Sequence, residues 1–218
     1  MDNVTSLLQK HYEKTFAEHG ATSRGVDWGD PEELRFRYGK MLDVLNRDFE
    51  RPKGVPSLLD IGCGWGGLML YAKEKAIVLD YYGVDIVESM IDYCHKNHKD
   101  GTFTVQNIFD VEAEGVYDYV VCNGILTQKL TAGIVEMEAY SRRMMQKMFR
   151  LCRYGMSLNF MSTRVNFMVN NLYYQNPAEI LNYCFTELSP KVRIDHGYSS
   201  LKTGRGKLYE FTVYVYKD

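Results

Sequence analysis

The sequence lacks the features of a secreted, disulfide-bonded or membrane-spanning protein. Its five cysteines are an odd number, lie far apart and form no CxxC pair, so neither a disulfide framework nor a zinc site is indicated. No apolar run approaches the roughly 20 residues that cross a bilayer. The first residues, MDNV, are not followed by the apolar core of a signal peptide. We therefore expect a cytoplasmic protein with reduced thiols, no bound metal and no membrane partner.

An excess of charge of one sign is also missing. The chain has 26 Lys and Arg against 28 Asp and Glu, which gives a formal net charge of −2 at pH 7. Because nucleic-acid affinity depends on neutralising many phosphates, this balance argues against DNA or RNA as a partner. Aromatic residues, by contrast, are abundant, with 17 Tyr and 10 Phe. They are consistent with an aromatic-walled pocket, and equally with aromatic packing in the core.

Two helices are predicted near the N-terminus. Apolar residues recur on one helical face between residues 3 and 18. A second helix begins at Asp30-Pro31, where an aspartate caps the helix and a proline takes its first position. We interpret residues 1–50 as a helical cap or lid, and residues 51–218 as the main domain.

Apolar strands alternate with helices along the rest of the chain. Such alternation predicts a mainly parallel sheet with right-handed crossovers and helices on both faces. A glycine-rich turn, Gly204-Arg205-Gly206, joins the last two strands, so they should pair antiparallel at one edge. The predicted fold class is therefore a doubly wound α/β domain with a mixed sheet. The strands are predicted at 57–61, 81–84, 102–105, 117–122, 155–160, 191–198 and 207–217, and the helices at 66–75, 88–97, 135–152 and 177–188.

The loop after the first strand is the strongest candidate for a ligand site. It reads LLDIGCGWGG over residues 58–67. Such a loop lies at the carboxyl edge of the sheet, where open α/β folds bind ligands, and its glycines let a ligand lie against the backbone. The same loop satisfies the GxGxxG pattern of dinucleotide-binding proteins, and Asp85, at the end of the second strand, would accept hydrogen bonds from a ribose. A nicotinamide-dependent oxidoreductase therefore stays an alternative, although no unit as large as a separate substrate domain follows.

Three segments together resemble the class I S-adenosylmethionine-dependent methyltransferases. LLDIGCGWG resembles the first motif of that family, GVDI at residues 83–86 resembles the second, and YDYVV at residues 117–121 resembles its fourth strand. The resemblance extends over residues 57–216. It implies a seven-stranded sheet of order 3-2-1-4-5-7-6 with strand 7 antiparallel. It also implies S-adenosylmethionine as the cofactor and S-adenosylhomocysteine as the product.

The resemblance also implies which residues contact the cofactor. The loop after the first strand would hold its methionine part, Asp85 its ribose hydroxyls, and the ends of the second and third strands its adenine. Asn107 stands where the family often has an aspartate that contacts the adenine amino group. The expected contacts in this main domain are Asp60, Gly62, Cys63, Gly64, Asp85, Ile86, Asn107, Ile108 and Asn123.

Residues of the acceptor side are harder to identify from the sequence. Methyl transfer depends mainly on alignment and exclusion of water, so no universal catalytic residue is expected. Trp28 and Arg35 are expected beside the cofactor, with Arg35 paired to its carboxylate or to an anionic acceptor; a solvated helix charge is the alternative. The other candidates for the acceptor are Tyr12, Arg164, Tyr173 and Tyr174, with core packing or loop anchoring as the alternative for the tyrosine pair. His19 and His196 are candidate general bases, and a structural or exposed histidine is the alternative for His196.

Shorter segments resemble a group of small bacterial methyltransferases that are often encoded with surface-polysaccharide genes. Some of that group are associated with the O-methyl phosphoramidate of capsules. This resemblance implies a small oxygen or nitrogen acceptor, such as a sugar, a sugar nucleotide or a phosphorylated intermediate. The segments are ELRF at 33–36, NGI at 123–125, NFMS at 159–162, LYYQNP at 172–177 and EFTVY at 210–214.

Other acceptors and functions are less consistent with the sequence. The Asp/Asn-Pro-Pro-Tyr type of motif found in methyltransferases of amino bases is replaced by CNGI at residues 122–125, which argues against adenine or glutamine as the acceptor. A non-catalytic protein that only binds the cofactor is a further alternative, although the intact glycines and Asp85 argue against it. A monomer or a homodimer is expected.

Overall fold

The computed structural model describes residues 2–46, 52–198 and 209–217. The predicted turn at residues 204–206 and the first residues of the last predicted strand lie outside these ranges. None of the helices within them combines the length and the hydrophobicity that crossing a bilayer requires.

The N-terminal region forms two helices, as predicted. Helix α1 (Asn3–His19) begins where the Asp2 carboxylate accepts a hydrogen bond from the backbone N–H of Thr5 at 2.8 Å. Helix α2 (Pro31–Leu42) begins at Asp30, whose carboxylate accepts from the N–H of Glu32 at 2.8 Å. Both N-caps satisfy backbone donors that have no partner inside a helix.

The main domain is an α/β sheet whose strand order confirms the prediction. The order is β3-β2-β1-β4-β5-β8-β7, and β8 runs antiparallel to both β5 and β7. The two-residue strand β6, which was not predicted, pairs with the end of β5 and shifts the numbering of the last two strands. The strands are β1 (Ser57–Ile61), β2 (Asp80–Asp85), β3 (Thr102–Val105), β4 (Tyr117–Cys122), β5 (Cys152–Ser162), β6 (Tyr174–Gln175), β7 (Val192–Asp195) and β8 (Glu210–Tyr216), and the helices are α3 (Gly67–Glu74), α4 (Glu88–Asn97), α5 (Ile134–Leu151) and α6 (Pro177–Glu187).

Buried side chains fill both faces of the sheet. Helices α2 and α3 pack on one face through residues such as Met41 and Leu68. Helices α5 and α6 pack on the other through residues such as Met144 and Ile180. The other methionines on the inner face of α5 are also buried, so they contribute to the core.

The carboxyl ends of the parallel strands meet at one edge of the sheet, and α1 and α2 contribute side chains above it. Thr5, Leu8 and Tyr12 from α1 and Leu34 and Tyr38 from α2 face a cavity that the strand-end loops line from below. The fold therefore assembles a roofed site at the edge where ligands bind in open α/β proteins.

We expect Leu158→Ala to lower the free energy of unfolding by about 2–5 kcal/mol, because Leu158 lies fully buried in β5 opposite Val213 of β8. Urea denaturation measures the change. Leu70→Ala on the exposed side of α3, where the leucine is 39% exposed, is the matched control. Equal losses in the two variants would contradict the assignment of Leu158 to the core.

Candidate functional site

A cavity lies at the carboxyl ends of β1, β2 and β4. This first cavity is bounded by the loops that follow these strands and by α1 and α2. Of the residues predicted to contact the cofactor, all except Arg35 line it. They are Trp28, Asp60, Gly62, Cys63, Gly64, Asp85, Ile86, Asn107, Ile108 and Asn123, and the predicted acceptor residue Tyr12 lines it too.

The glycine loop after β1 forms the floor of the first cavity. The N–H groups of Gly62 and Cys63 donate to the carbonyl of Val84 at 2.8 and 3.1 Å, which holds the loop against the end of β2. Gly62 has a φ of +74°, and a Cβ atom there would lie 2.5 Å from Cδ1 of Ile125. A residue without a side chain is therefore required, and the backbone stays open to a ligand.

Asp85, at the end of β2, contacts this glycine loop, as the sequence predicted. Its carboxylate accepts hydrogen bonds from the N–H of Gly64 at 2.9 Å and from the N–H of Val87 at 3.0 Å. Burial raises the pKa of Asp85, and these backbone N–H groups oppose the rise. Because a carboxylate has about four acceptor positions, capacity remains for two ligand hydroxyl groups.

Asp60 provides a second buried carboxyl group in the first cavity. The hydroxyl of Tyr81 donates to it at 2.5 Å. Burial raises the pKa of Asp60 to about 7, although the hydrogen bond from Tyr81 acts in the opposite direction. A positively charged ligand group beside Asp60 would favour its ionised form.

Two asparagines show how the first cavity matches a polar ligand. The Asn107 carbonyl accepts from the N–H of Phe109 at 3.1 Å, which leaves its NH₂ group and one acceptor position for other partners. The side-chain oxygen of Asn123 is buried and has no hydrogen-bond partner among the described residues. Because a buried acceptor without a partner is costly, a ligand donor at Asn123 fits the site. Gln106, which the sequence analysis did not select, also lines this cavity.

A second cavity adjoins the first. Tyr12, Val26 and Trp28 line both cavities and form the boundary between them. The second cavity therefore lies where an acceptor can reach a ligand in the first. Its polar lining includes Asp27, Asp30, Glu33, Arg37, Thr127, Gln128 and Glu210.

A buried ion pair between Arg37 and Glu210 forms part of the wall of the second cavity. The Arg37 Nε donates to the two carboxylate oxygens at 2.8 and 3.1 Å, and its Nη2 donates to Oε1. The guanidinium also lies over the Trp28 ring at 4.0 Å from the ring centroid and 3.7 Å from Glu33. The sequence analysis selected neither residue of the pair.

The prediction for Arg35 is corrected by its position on α2. Leu34 and Tyr38 mark the inward face of this helix, and Arg37, three residues after Leu34, lies on that face. Arg35 points outward and pairs with Glu74 at 2.5 Å. Helical periodicity would have identified Arg37 as the inward arginine.

Arg164 and the tyrosine pair predicted for the acceptor also lie outside both cavities. Tyr173 is buried, and its hydroxyl accepts a hydrogen bond from the side chain of Gln175. The Tyr174 hydroxyl accepts from the N–H of Val169 at 2.9 Å, so both tyrosines anchor their own segment. Arg164 is exposed in the loop after β5. The connection between β5 and β6 does contribute to the second cavity, through Leu172.

Neither predicted general base lines the first or the second cavity. His19 is exposed at the end of α1. The Nε2 atom of His196 lies 2.7 Å from the Ser162 hydroxyl, and its ring stacks on Tyr209. These contacts agree with the structural alternative for His196, and the placement of the two histidines corrects their prediction as general bases.

Asp27 is a further polar residue that the sequence analysis did not select. Its carboxylate oxygen Oδ2 lies 2.9 Å from Nε2 of His11 and accepts from the Gln128 side chain at 2.8 Å. Its backbone has a φ of +59°, which is strained for a residue with a side chain. The loop that contains Asp27 is short and polar, so hydrophobic periodicity did not identify Asp27 as a residue of the second cavity.

Comparisons with known proteins agree with this architecture. A family model described as a methyltransferase domain matches residues 55–198. A candidate methyltransferase of Mycobacterium tuberculosis is 28% identical over 166 residues, which cover 74% of this chain and 93% of that protein. The 1,6-didemethyltoxoflavin-N1-methyltransferase of Burkholderia thailandensis has a TM-score of 0.64 at 15% identity, over 97% of this chain and 88% of that one. The geranyl diphosphate C-methyltransferase of Streptomyces coelicolor A3(2) has a TM-score of 0.64 at 12% identity, over 100% and 99%.

We expect Arg37→Ala to lower the free energy of unfolding by about 3–5 kcal/mol, because it leaves the Glu210 charge buried without its partner. Arg35→Ala on the same helix is the matched control and should change it little, because Arg35 is exposed. Urea denaturation of both variants measures the difference. A larger loss in Arg35→Ala would refute the assignment of Arg37 to the inward face.

Asp60 should make the stability of the ligand-free protein depend on pH. Its pKa is about 7 in the folded chain against an ordinary value of 3.8, so the folded state binds the proton more tightly. The free energy of unfolding should therefore fall as the pH rises from about 4 to about 7, by about 1.4 kcal/mol per unit of pKa difference, and level off above. Denaturation across this pH range should show a smaller fall in the free energy of unfolding for Asp60→Asn. Asp92→Asn, at an exposed position on α4, should behave like the unaltered chain; identical pH profiles for all three proteins would contradict the raised pKa.

Proposed function

This chain belongs to the methyltransferase-domain family, and we propose that it transfers a methyl group from S-adenosylmethionine to an oxygen or nitrogen atom of a small molecule. The enzyme class predicted from the sequence, an S-adenosylmethionine-dependent methyltransferase, is confirmed by this membership. The observation that best supports the assignment of the cofactor to the first cavity is the junction of the glycine loop with Asp85. There, the Gly64 N–H donates to one oxygen of the Asp85 carboxylate, which retains acceptor positions for the hydroxyl groups of a ribose.

The main contribution of the chain to the reaction is binding and alignment. S-adenosylmethionine, when bound, supplies a methyl carbon that is activated by a positively charged sulfur. We assign recognition of the ribose hydroxyls to Asp85. We assign the positively charged part of the cofactor to the neighbourhood of Asp60, since a positive charge would lower the raised pKa of that group.

The N-terminal helices exclude water from the reacting groups. Leu8 of α1 and Leu34 of α2 are buried where they meet the first cavity. Tyr12 and Trp28 lie between the two cavities and present aromatic surface, which attracts a sulfonium cation. This arrangement supports our interpretation of residues 1–50 as a cap over the cofactor.

The acceptor belongs, in our proposal, to surface-polysaccharide synthesis: a sugar, a sugar nucleotide or a phosphorylated intermediate. The second cavity adjoins the cofactor cavity, with Tyr12, Val26 and Trp28 lining both, and it suits a small molecule better than a nucleic-acid strand. We also propose that the enzyme acts in the cytoplasm, since its five cysteines are free and buried.

Calorimetry with S-adenosylhomocysteine tests the cofactor site. We expect the unaltered chain to bind it and Asp85→Asn to bind it roughly 10- to 100-fold more weakly, because hydrogen bonds to a charged group contribute about 1.5–3 kcal/mol. Asp92→Asn removes an equivalent charge from the exposed side of α4 and should bind normally.

NAD provides the contrasting titration. Heat with NAD and none with S-adenosylhomocysteine would favour the oxidoreductase alternative instead. Normal affinity of Asp85→Asn for S-adenosylhomocysteine would refute our assignment of the ribose hydroxyls to Asp85. Transfer of a labelled methyl group to pools of sugars and amines then separates an enzyme from a protein that only binds the cofactor.

A further inference from the structure

Thr5 carries a buried hydroxyl group that has no hydrogen-bond partner among the described residues. The residue is 2% exposed, and it lines the first cavity from the first turn of α1. A buried polar atom without a partner costs free energy, so each one in a folded protein needs an explanation. Within the part of the chain that the structure describes, Thr5 is the one hydroxyl-bearing residue in this condition.

The helix itself does not satisfy this hydroxyl. Serine and threonine in helices commonly donate to a carbonyl three or four residues earlier. The Asp2 carbonyl, three residues before Thr5, already accepts from both the N–H and the hydroxyl of Ser6, at 3.1 and 3.0 Å. Ser141 shows the usual arrangement, because it is also fully buried but donates to the Glu138 carbonyl at 2.9 Å. The hydroxyl of Thr5 is therefore available to a group in the first cavity.

Contacts of Tyr140 place Thr5 on the side of the first cavity where the turn after β3 lies. Tyr140, on α5, lines the same cavity, and its ring packs edge-on against Phe109 with the ring centroids 5.3 Å apart. Burial raises the pKa of Tyr140, and the neighbouring Thr5 side chain opposes the rise. Phe109 belongs to the turn that also carries Asn107 and Ile108. Thr5 therefore lies near the turn that is expected to contact the adenine.

The lining on this side suits a flat heterocyclic base. Leu8, Ile108 and Met144 line the first cavity and belong with Tyr140 to one buried apolar cluster. Ligand sites commonly combine such apolar walls with a few polar groups that fix the orientation of the ligand. A purine presents ring nitrogens and an amino group at its edge, and a hydroxyl can donate to the former or accept from the latter.

We propose that the Thr5 hydroxyl recognises the base of the cofactor, so that helix α1 is part of the cofactor site as well as a cover over it. The inference rests on the proposed function, which assigns S-adenosylmethionine to the first cavity. It gives Thr5 a polar position at the edge of the adenine and leaves the ribose to Asp85. Binding of the base then satisfies a group that α1 otherwise buries at a cost, which links the position of α1 to the cofactor.

Thr5→Val tests this hydroxyl with almost no change in side-chain shape. We expect S-adenosylhomocysteine to bind this variant roughly 5- to 10-fold more weakly in calorimetry, because a buried neutral hydrogen bond is lost. Thr5→Ser retains the hydroxyl and should bind nearly as tightly as the unaltered chain. Thr186→Val makes the same change at an exposed position of α6, where the hydroxyl donates to the Asn182 carbonyl at 3.1 Å, and should bind normally. Normal affinity of Thr5→Val overturns the proposal.

Analogues of S-adenosylhomocysteine identify the atom that Thr5 contacts. Each analogue lacks one polar position of the base: N1, N3, N7 or the amino group. At least one of these changes should weaken binding to the unaltered chain by roughly 5- to 10-fold but leave binding to Thr5→Val unchanged, because the partner is already missing there. Equal losses in the two proteins for every analogue overturn the assignment of Thr5 to the base.

Urea denaturation of the ligand-free protein tests a purely structural role for the hydroxyl. Thr5→Val replaces a hydroxyl that has no partner by a methyl group, and both residues are β-branched, so the unfolding midpoint should stay the same or rise. A structural hydrogen bond between Thr5 and Tyr140 predicts the opposite. In that case Thr5→Val and Tyr140→Phe both lower the midpoint while the affinity of Thr5→Val stays normal, and this combination overturns the proposal.

Binding by the unaltered chain keeps this test distinct from the test of the proposed function. Normal binding of S-adenosylhomocysteine by the unaltered chain, together with unchanged affinity in Thr5→Val, refutes the role of Thr5 alone. Binding of NAD in place of S-adenosylhomocysteine refutes the proposed cofactor. Because NAD carries the same base, weaker binding of NAD by Thr5→Val would then retain the role of Thr5, and binding of neither ligand refutes both.

Discussion

The buried ion pair between Arg37 and Glu210 joins the N-terminal helices to the sheet. A buried charge that loses its partner is strongly destabilising, so α2 cannot leave β8 without a large free-energy cost. Asn159 extends the connection, because its NH₂ group donates to Glu210 at 3.4 Å and its carbonyl accepts from the N–H of Gly124 at 2.8 Å. The loop after β4, the end of β8 and helix α2 are therefore fixed relative to one another, and the roof of the site is fixed with them.

This constraint also divides the edge of the sheet into two environments. Trp28 lies over Arg37 and is held near Gly124, where a Cβ atom would lie only 3.1 Å from the indole ring. With Tyr12, it separates a cavity formed by strand-end loops from one lined by acidic side chains. With the cofactor in the first cavity, the second is left for the acceptor in the proposed reaction. The boundary between the cavities is thus where the two reactants meet in the proposed reaction.

The sequence predicted the fold, and it predicted that the glycine loop and Asp85 lie together, because both depend on local patterns. Alternating apolar strands determine the sheet, and the spacing of the glycines with Asp85 reflects one turn and the strand beside it. The ion pair of Arg37 with Glu210 joins residues 173 positions apart, and no local pattern reveals such a partner. Tyr173 illustrates the opposite error. Tyr173 was predicted to contact the acceptor, but tertiary packing directs its side chain into the core.

Different parts of the chain line the two cavities, and this explains why the acceptor is harder to infer than the cofactor. The family model covers residues 55–198, whereas nine of the thirteen residues that line the second cavity lie outside that range. Most of the lining of the first cavity lies inside it. Membership of the family therefore constrains the cofactor site. The lining of the second cavity depends instead on the segment around Asp27 and on Glu210. A relative that keeps the glycine loop but changes this segment should bind the same cofactor and accept a different molecule.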